Sequence, residues 1–460
     1  MNKRKKFLVF LIAVFLLLAI PCLLLILKKP IPAASILKAS SEDDVYQFYY
    51  RSVPGLKMAE DTGMVKDLNK RLEWPGRDSV VIIDRIWYST KSVYLFYHVE
   101  NMTEAAYLGG EIYLPSSEPA RKQSFHGLDS IGRASEKGIL FNDSYYSCLK
   151  LPPLRDNSGN IISGIETLAY APFINVPDRK DKDSFTAVRL KAFDIGLNYL
   201  ANEEPVTKIP VQAMIDINDK QLSFYQVNIS PSVLQIYFQY LNSGKDRVYR
   251  VKGTYTTDKG ETYEFDAYPR AITDYPYHYS MDVPPLHIIP SSLQIQIDSI
   301  YCTGSDSISF DINTRQYDGK SKSYKVEIGK DQVKGTDILV EEILLNKQSA
   351  EIFIAAKPAA GKPAPYTRID LSNPQWYREE LDIKEEANIL TIKNADYQLY
   401  NPDKLAYGIK VKPEKGIYID LERDFWDSTG IIRIEIDNLR YVYEIGMKAV
   451  ITLDNQPDSD

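Results

Sequence analysis

Three stretches carry the reading of this chain: VIIDRIWYSTKSVYLFYHV at Val81–Val99, LSFYQVNISPSVLQIYFQY at Leu222–Tyr240 and ILVEEILLNKQSAEIFIAA at Ile338–Ala356. Aligned without gaps, they are apolar at eight shared positions. In the first copy these are Val81, Ile83, Ile86, Tyr88, Val93, Leu95, Tyr97 and Val99. In the second they are Leu222, Phe224, Val227, Ile229, Leu234, Ile236, Phe238 and Tyr240. In the third they are Ile338, Val340, Ile343, Leu345, Ala350, Ile352, Ile354 and Ala356. Each copy reads as two short strands joined by a turn, because the apolar residues recur at the strand period of two. The alternation slips by one residue between the second and third shared positions. A β-bulge common to all three copies accounts for the slip. Val81 to Leu222 is 141 residues and Leu222 to Ile338 is 116, spacings of domain size.

Outward from these hairpins the pattern persists. Leu293–Ile297 and Ile432–Ile436 alternate cleanly, and turn signals separate the runs at Asp156–Gly159, Asn242–Gly244, Asp258–Gly260 and Asp318-Gly319. The chain holds 33 tyrosines, a ring content that favours pleated, half-buried surfaces over helical bundles. The expected fold is mainly β: tandem immunoglobulin-like β-sandwich modules at residues 56–218, 219–320 and 321–455, with 456–460 a tail. Helices are expected only near the start. Ser40–Asp44 can cap a short helix through Phe48 to Arg51. Leu56, Ala59, Val65, Leu68 and Leu72 mark one apolar face of a second helix running to Trp74, which Pro75-Gly76 ends. Residues 28–55 read as a tether.

Phe7–Leu27 is a run of 21 residues without a charge. At about 1.5 Å per residue a helix of that length spans roughly 30 Å, the thickness of the hydrocarbon layer. A cleaved signal peptide has a shorter apolar region followed by a small-residue site. Here the run is longer and Lys28-Lys29 follow it. The reading is an uncleaved single-pass anchor. Lys3, Arg4, Lys5 and Lys6 outweigh Lys28 and Lys29, which places residues 1–6 in the cytoplasm, 7–27 across the membrane and the region after them outside.

The formal net charge is −7, yet residues 1–29 hold six basic residues and no acid, so the remainder carries −13. An acidic ectodomain excludes nucleic acid as a partner, since phosphate recognition needs basic patches. Cys148 and Cys302 are isolated in sequence and do not form a disulfide framework. They read as two buried thiols or as a single pair.

No residue pattern compels catalysis. The four histidines, His98, His126, His278 and His287, show no HxH or HxxxH spacing, and no Gly-x-Ser-x-Gly elbow occurs. The acidic clusters Glu42-Asp43-Asp44, Glu203-Glu204, Glu341-Glu342, Glu379-Glu380 and Glu385-Glu386 read as solvated charge, because neighbours on a strand face opposite ways. Asp156–Asn160 and Asp178–Asp183 are oxygen-rich loops without the distal glutamate of a calcium loop. Tyr275, Tyr277 and Tyr279 either line a sugar- or peptide-binding surface or fill a pleat. No catalytic, cofactor-binding or metal-binding residue is assigned.

Met58-Ala59-Glu60-Asp61-Thr62-Gly63-Met64-Val65, with Leu68-Asn69 and then VYLFYHVEN, resembles an uncharacterised extracytoplasmic domain family of Gram-positive spore-former membrane proteins. QVNISPSVLQIYFQYLN with GTYTTDKGETYE at Gly253–Glu264 is similar to the immunoglobulin-like domain that often follows it. The resemblance covers residues 56–315. It implies a tethered envelope protein, in some members tied to anti-sigma-factor signalling, and transfers no catalytic residue. Signalling members hold the sigma factor with a cytoplasmic domain, which six residues cannot supply. The expected function is therefore a non-enzymatic, membrane-anchored binding or sensing protein of the bacterial cell envelope, with an envelope protein or the cell wall as partner. The alternatives are an envelope enzyme acting on cell-wall glycan or peptide, and a structural spacer.

Overall fold

The computed structural model describes residues 36–115, 123–125, 138–156, 158–177, 185–217, 220–241, 246–303, 307–316, 324–325, 336–358, 366–370, 389–400, 406–411, 415–428, 430–437 and 439–453. The expected anchor at 7–27 and the tail at 456–460 lie outside these residues. No helix among the described residues is long and apolar enough to cross a membrane. The chain divides into two compact units, residues 1–205 and 206–460, and is mainly β in both.

The first unit opens with β1 (Leu37–Lys38), α1 (Glu42–Ser52) and α2 (Leu56–Asp61). Then come β2 (Val65–Glu73), β3 (Val80–Tyr88), β4 (Val93–Glu100), β5 (Tyr107–Tyr113), β6 (Gln123–Phe125), β7 (Ile139–Phe141) and β8 (Ser144–Leu151). It closes with β9 (Gly164–Pro177), β10 (Phe185–Arg189) and β11 (Phe193–Leu200). One sheet runs β1-β7-β8-β4-β3-β2 and the other runs β10-β9-β5-β6, with β11 also on β9. One buried cluster joins the two sheets, Val81, Leu95 and Leu149 from the first with Leu108, Leu168 and Ile174 from the second. The opposite face of the first sheet is covered by α1 and α2: Phe48, Tyr49 and Leu56 pack on Trp87, Phe96 and Cys148. Burial on both faces explains why β4 is nearly continuously apolar rather than alternating.

Two expectations need correction here. The apolar spacing in Leu56–Trp74 is not one helix. Gly63 adopts a left-handed φ of 72° and ends α2, and Val65 onward pairs with β3, beginning at Val65↔Trp87. A neighbouring strand with unpaired backbone groups overrides a weak helical pattern. Nor is the whole of 28–55 a tether. Leu37 pairs with Ile139, and α1 lies in the core of the unit, its first turn closed by a reciprocal Ser41–Asp44 capping box.

The second unit contains β12 (Thr207–Ile217), β13 (Lys220–Ile229), β14 (Leu234–Leu241), β15 (Arg247–Thr257), β16 (Thr262–Ala267), β17 (Arg270-Ala271), β18 (His278–Val283), β19 (Ser292–Thr303) and β20 (Ile308–Asn313). After them come β21 (Tyr324-Lys325), β22 (Thr336–Leu345), β23 (Ser349–Pro358), β24 (Tyr366–Asp370), β25 (Ile389–Asn394), β26 (Ala406–Val411) and β27 (Lys415–Glu422). Helix α3 (Arg423–Ser428), β28 (Ile431–Asp437) and β29 (Arg440–Thr452) complete it. Its sheets run β12-β13-β14-β18-β17, β16-β15-β19-β29-β24, β20-β28-β25 and β21-β22-β23-β27-β26.

These pairings revise the expected module edges. β12 pairs along its length with β13, so the break falls near 205/206 and not at 218/219. β29 pairs with β19, Leu293↔Ile451 through Thr303↔Arg440, while β20 pairs with β28. β29 therefore returns to the sheet of residues 247–303, and 321–455 is not a separate consecutive block.

The three hairpins occupy equivalent places. Leu95 pairs with Ile86, Ile236 with Val227 and Ile352 with Ile343. The register breaks between Ile83 and Arg85, between Phe224 and Gln226, and between Val340 and Glu342. Asp84, Tyr225 and Glu341 are thus the inserted residue of the same bulge in each copy. All eight shared positions are buried in the first two copies. In the third, Val340, Ile343, Ala350, Ile352 and Ile354 are buried, Leu345 is half-buried, and the side chains of Ile338 and Ala356 lie outside the described residues.

Candidate binding face

In the second unit the bulge decides what the sheet shows to solvent. β14 alternates strictly, Leu234, Ile236, Phe238 and Tyr240 going inward and Gln235, Tyr237 and Gln239 outward. On β13 the inserted Tyr225 and the next residue, Gln226, together oppose Tyr237 and are both half-buried. A bulge re-aims a side chain in this way. β18 adds His278, Ser280 and Asp282, opposite Gln239, Tyr237 and Gln235. The rings are contiguous: Tyr225 lies 6.0 Å from Tyr237 and 5.3 Å from His278, and Tyr275 lies 5.6 Å from His278, centroid to centroid.

Beside the rings runs a hydrogen-bonded amide network. Gln226 Nε2 donates to Asn228 Oδ1 at 2.7 Å, and Asn228 Nδ2 donates to the Tyr237 hydroxyl at 3.1 Å. The Tyr237 hydroxyl donates to Gln235 Oε1 at 2.5 Å, and Gln235 Nε2 donates to Asp282 Oδ1 at 3.0 Å. Burial pushes the Tyr237 phenol above its ordinary range, with the Asp282 charge adding to it, and burial does the same for Tyr225. Both hydroxyls therefore stay protonated at neutral pH. The turn before β18 holds Tyr275 and Tyr277 out in solvent, 60% and 44% exposed. It is tied by Tyr275 N to Ile272 O and by Tyr240 N to Tyr277 O. Tyr277 sits at φ 63°, a left-handed geometry unusual for an aromatic residue. Tyr279 is different: it is buried and stacks on Phe238 at 5.4 Å.

The other expected positions separate. His98 Nδ1 meets Asp84, the bulge residue of the first copy, at 2.8 Å, and its ring stacks on Tyr146. His287 is half-buried, and burial pulls its imidazole below the ordinary value, with Glu261 opposing. His126, Asp178–Asp183, Glu379-Glu380 and Glu385-Glu386 lie outside the described residues. Glu42-Asp43-Asp44 is the first turn of α1, and Glu203-Glu204 ends a short 3-10 turn. Glu341-Glu342 lies on the third bulge with both residues half-exposed, so the opposite-face rule fails for this pair. The Asp156 carboxylate is taken up within its own loop. It accepts from Ser158 N at 2.8 Å and Asn160 N at 2.9 Å, and the Asn160 bond leads in holding its pKa down. Among the described residues no group of three or more His, Cys, Asp or Glu could hold a metal ion. Cys148 and Cys302 are both buried, lie in different units and are not joined in a disulfide, and burial pushes the Cys148 thiol up.

One interior group had no signal in the sequence. Lys220 Nζ lies 2.5 Å from Asp246 Oδ2, both side chains 9% exposed. The Tyr443 hydroxyl donates to the same oxygen at 2.8 Å. The rings of Tyr443 and Tyr240 flank the ammonium at 4.9 and 5.6 Å. Lys220 and Tyr443 are 223 residues apart in the chain, so no spacing rule could have joined them.

No family model matches the chain, and no curated protein matches it. A solved structure of a conserved domain protein from Bacillus anthracis is similar to part of it. The identity is 15% over 58% of this chain and 86% of the other, with a TM-score of 0.29.

Proposed function

We propose that this chain is a membrane-anchored, extracytoplasmic binding or sensing protein of the bacterial cell envelope, built from immunoglobulin-like modules and without enzymatic activity. The observation that carries the reading is the run of half-buried rings and amides on the outward side of β13, β14 and β18, which Tyr275 continues into solvent. A contiguous aromatic surface that leaves part of its ring area in water marks an interaction site, since a partner would cover it. The apolar run at 7–27 with its basic flank supports an anchor, and the resemblance of residues 56–315 to an envelope family supports the location. The His98–Asp84 pair does not turn the reading toward catalysis, because an imidazole held by one carboxylate and stacked on Tyr146 equally serves to pin neighbouring strands.

The test is crosslinking in intact cells from a photoreactive residue placed at Tyr275, followed by identification of what is captured. An identified envelope protein or cell-wall fragment, joined only when the residue sits on this face, is the expected result. Hydrolysis of cell-wall material by the purified chain, with nothing captured, would refute the binding reading in favour of the enzyme.

A further inference from the structure

We infer that the face centred on Tyr237 binds an uncharged glycan strand, a reading that rests on the proposed binding function and names its ligand class. The argument is chemical complementarity. A sugar ring presents C–H-rich faces and equatorial hydroxyls. It is recognised by aromatic planes for the former and fixed planar amides for the latter. This surface supplies both within one short patch. Tyr225, Tyr237, His278 and Tyr275 form a continuous run of rings. The side chains of Gln226 and Gln235 are held beside that run by the Asn228–Tyr237–Asp282 network.

Charge favours a neutral polymer. The outward positions of β13, β14 and β18 contain no lysine or arginine, and the flanking strands add one exposed cation on each side, Lys208 opposite Asn228 and Arg270 opposite Ser280, whereas a polyanion is held by a basic cluster. The one carboxylate at those outward positions, Asp282, accepts a hydrogen bond from Gln235, so a polycation finds no acidic cluster. The amides partner one another within the network, yet each amide carries two N–H hydrogens and two oxygen lone pairs, and glycan hydroxyls can use the capacity left over where an apolar peptide cannot. Pre-organisation favours the same ligand: the sheet and the tied turn fix the rings before binding, so little side-chain entropy is lost.

The experiment uses the full-length chain in a detergent without a sugar headgroup. Binding of N-acetylglucosamine hexamer, cellohexaose and polygalacturonate is followed by titration calorimetry, alongside co-sedimentation with purified sacculi. The expected result is binding of at least one neutral hexamer and no binding of the polyanion. Preference for the N-acetylated hexamer together with sacculi points to the wall as source, and preference for cellohexaose points to another polysaccharide. Tyr275→Ala, at an exposed side chain that the fold does not need, should weaken binding roughly tenfold. Tyr275→Phe should stay close to the native chain. Tyr237→Phe keeps the ring but cuts the network and should fall between them, with an unchanged melting curve as control. Failure of every neutral glycan to bind, or tighter binding of polygalacturonate, overturns the inference. If that failure is accompanied by capture of an envelope protein through Tyr275 in cells, the binding function stands and only the glycan is wrong. If nothing is captured either, both fall.

Discussion

Removing one member of the Lys220–Asp246 pair is the sharpest test of the interior of the second unit. Both side chains are 9% exposed, so this pair lies outside the regime of surface ion pairs, which contribute about 0–1 kcal/mol. Lys220→Met leaves the Asp246 carboxylate buried with, among the described residues, the Tyr443 hydroxyl as its remaining side-chain partner. The expected cost of a half-broken buried pair is about 3–5 kcal/mol. In a unit of this size, about 1 kcal/mol moves the melting temperature by roughly 2–4 °C. The whole effect is therefore on the order of 6–20 °C. Replacing both partners, Lys220→Met with Asp246→Leu, removes the uncompensated charge and should recover most of that loss. Tyr443→Phe deletes one hydrogen bond to a charged acceptor and should cost roughly 1.5–3 kcal/mol. Hydrogen exchange read by mass spectrometry on the full chain is the suitable assay. It reports opening of peptides from β13 and β29 apart from the first unit. A cost below about 1 kcal/mol for Lys220→Met would show that the pair behaves as a surface pair. A double variant no better than the single ones would refute the charge argument altogether.

The remaining tests address the repeat and the tyrosines. Leu95→Ala, Ile236→Ala and Ile352→Ala each empty a fully buried, equivalent position, and each should cost about 2–5 kcal/mol by chemical denaturation; a cost under about 1 kcal/mol at any of the three would break the equivalence. Deleting Tyr225 takes out the inserted residue and leaves Phe224 opposite Phe238 and Gln226 opposite Tyr237 in unbroken alternation, so the second unit should keep cooperative unfolding by circular dichroism, as should Tyr225→Ala; loss of cooperativity on deletion would show that the bulge itself is needed for the fold. Tyr88 and Tyr94 are buried and their phenols are pushed up to about 12 against an ordinary 10.0. The unfolded chain loses those protons first, so the stability they confer is complete below pH 10 and is lost as pH rises toward about 12. Ultraviolet titration at full length should show these phenols ionising late, together with unfolding; early, independent ionisation of every tyrosine would contradict their burial.

Much of this architecture was legible beforehand, for a definite reason. A strand pair with one buried face writes its register into the chain at period two, and a bulge leaves a one-residue slip in that period. The slip after Ile83, Phe224 and Val340 was visible as a break in alternation, and the three bulges lie there. The Ser41–Asp44 cap was legible for the same local reason, since its partners are three residues apart. The helix expected over Leu56–Trp74 failed because its apolar spacing fits two periods, and pairing with β3, a contact distant in sequence, chose between them.

The candidate site divides in the same way. Tyr275 and Tyr277 stood out by composition, but nothing local separated them from Tyr279, which the alternation of β18 turns into the core. That Tyr225 joins Tyr237 and His278 depends on the bulge and on β18 pairing with β14 across the 36 residues between Leu241 and His278. By itself the sequence determined the strand-rich class, the hairpin repeat, the position of its bulges and the acidic balance, since each is a property of neighbours along the chain. Only the tertiary structure decided that β29 returns to pair with β19, that Lys220 meets Asp246 and Tyr443, and that four rings share one face. Those contacts close loops of tens to hundreds of residues, and a pattern of period two carries no information about which distant strand it will meet.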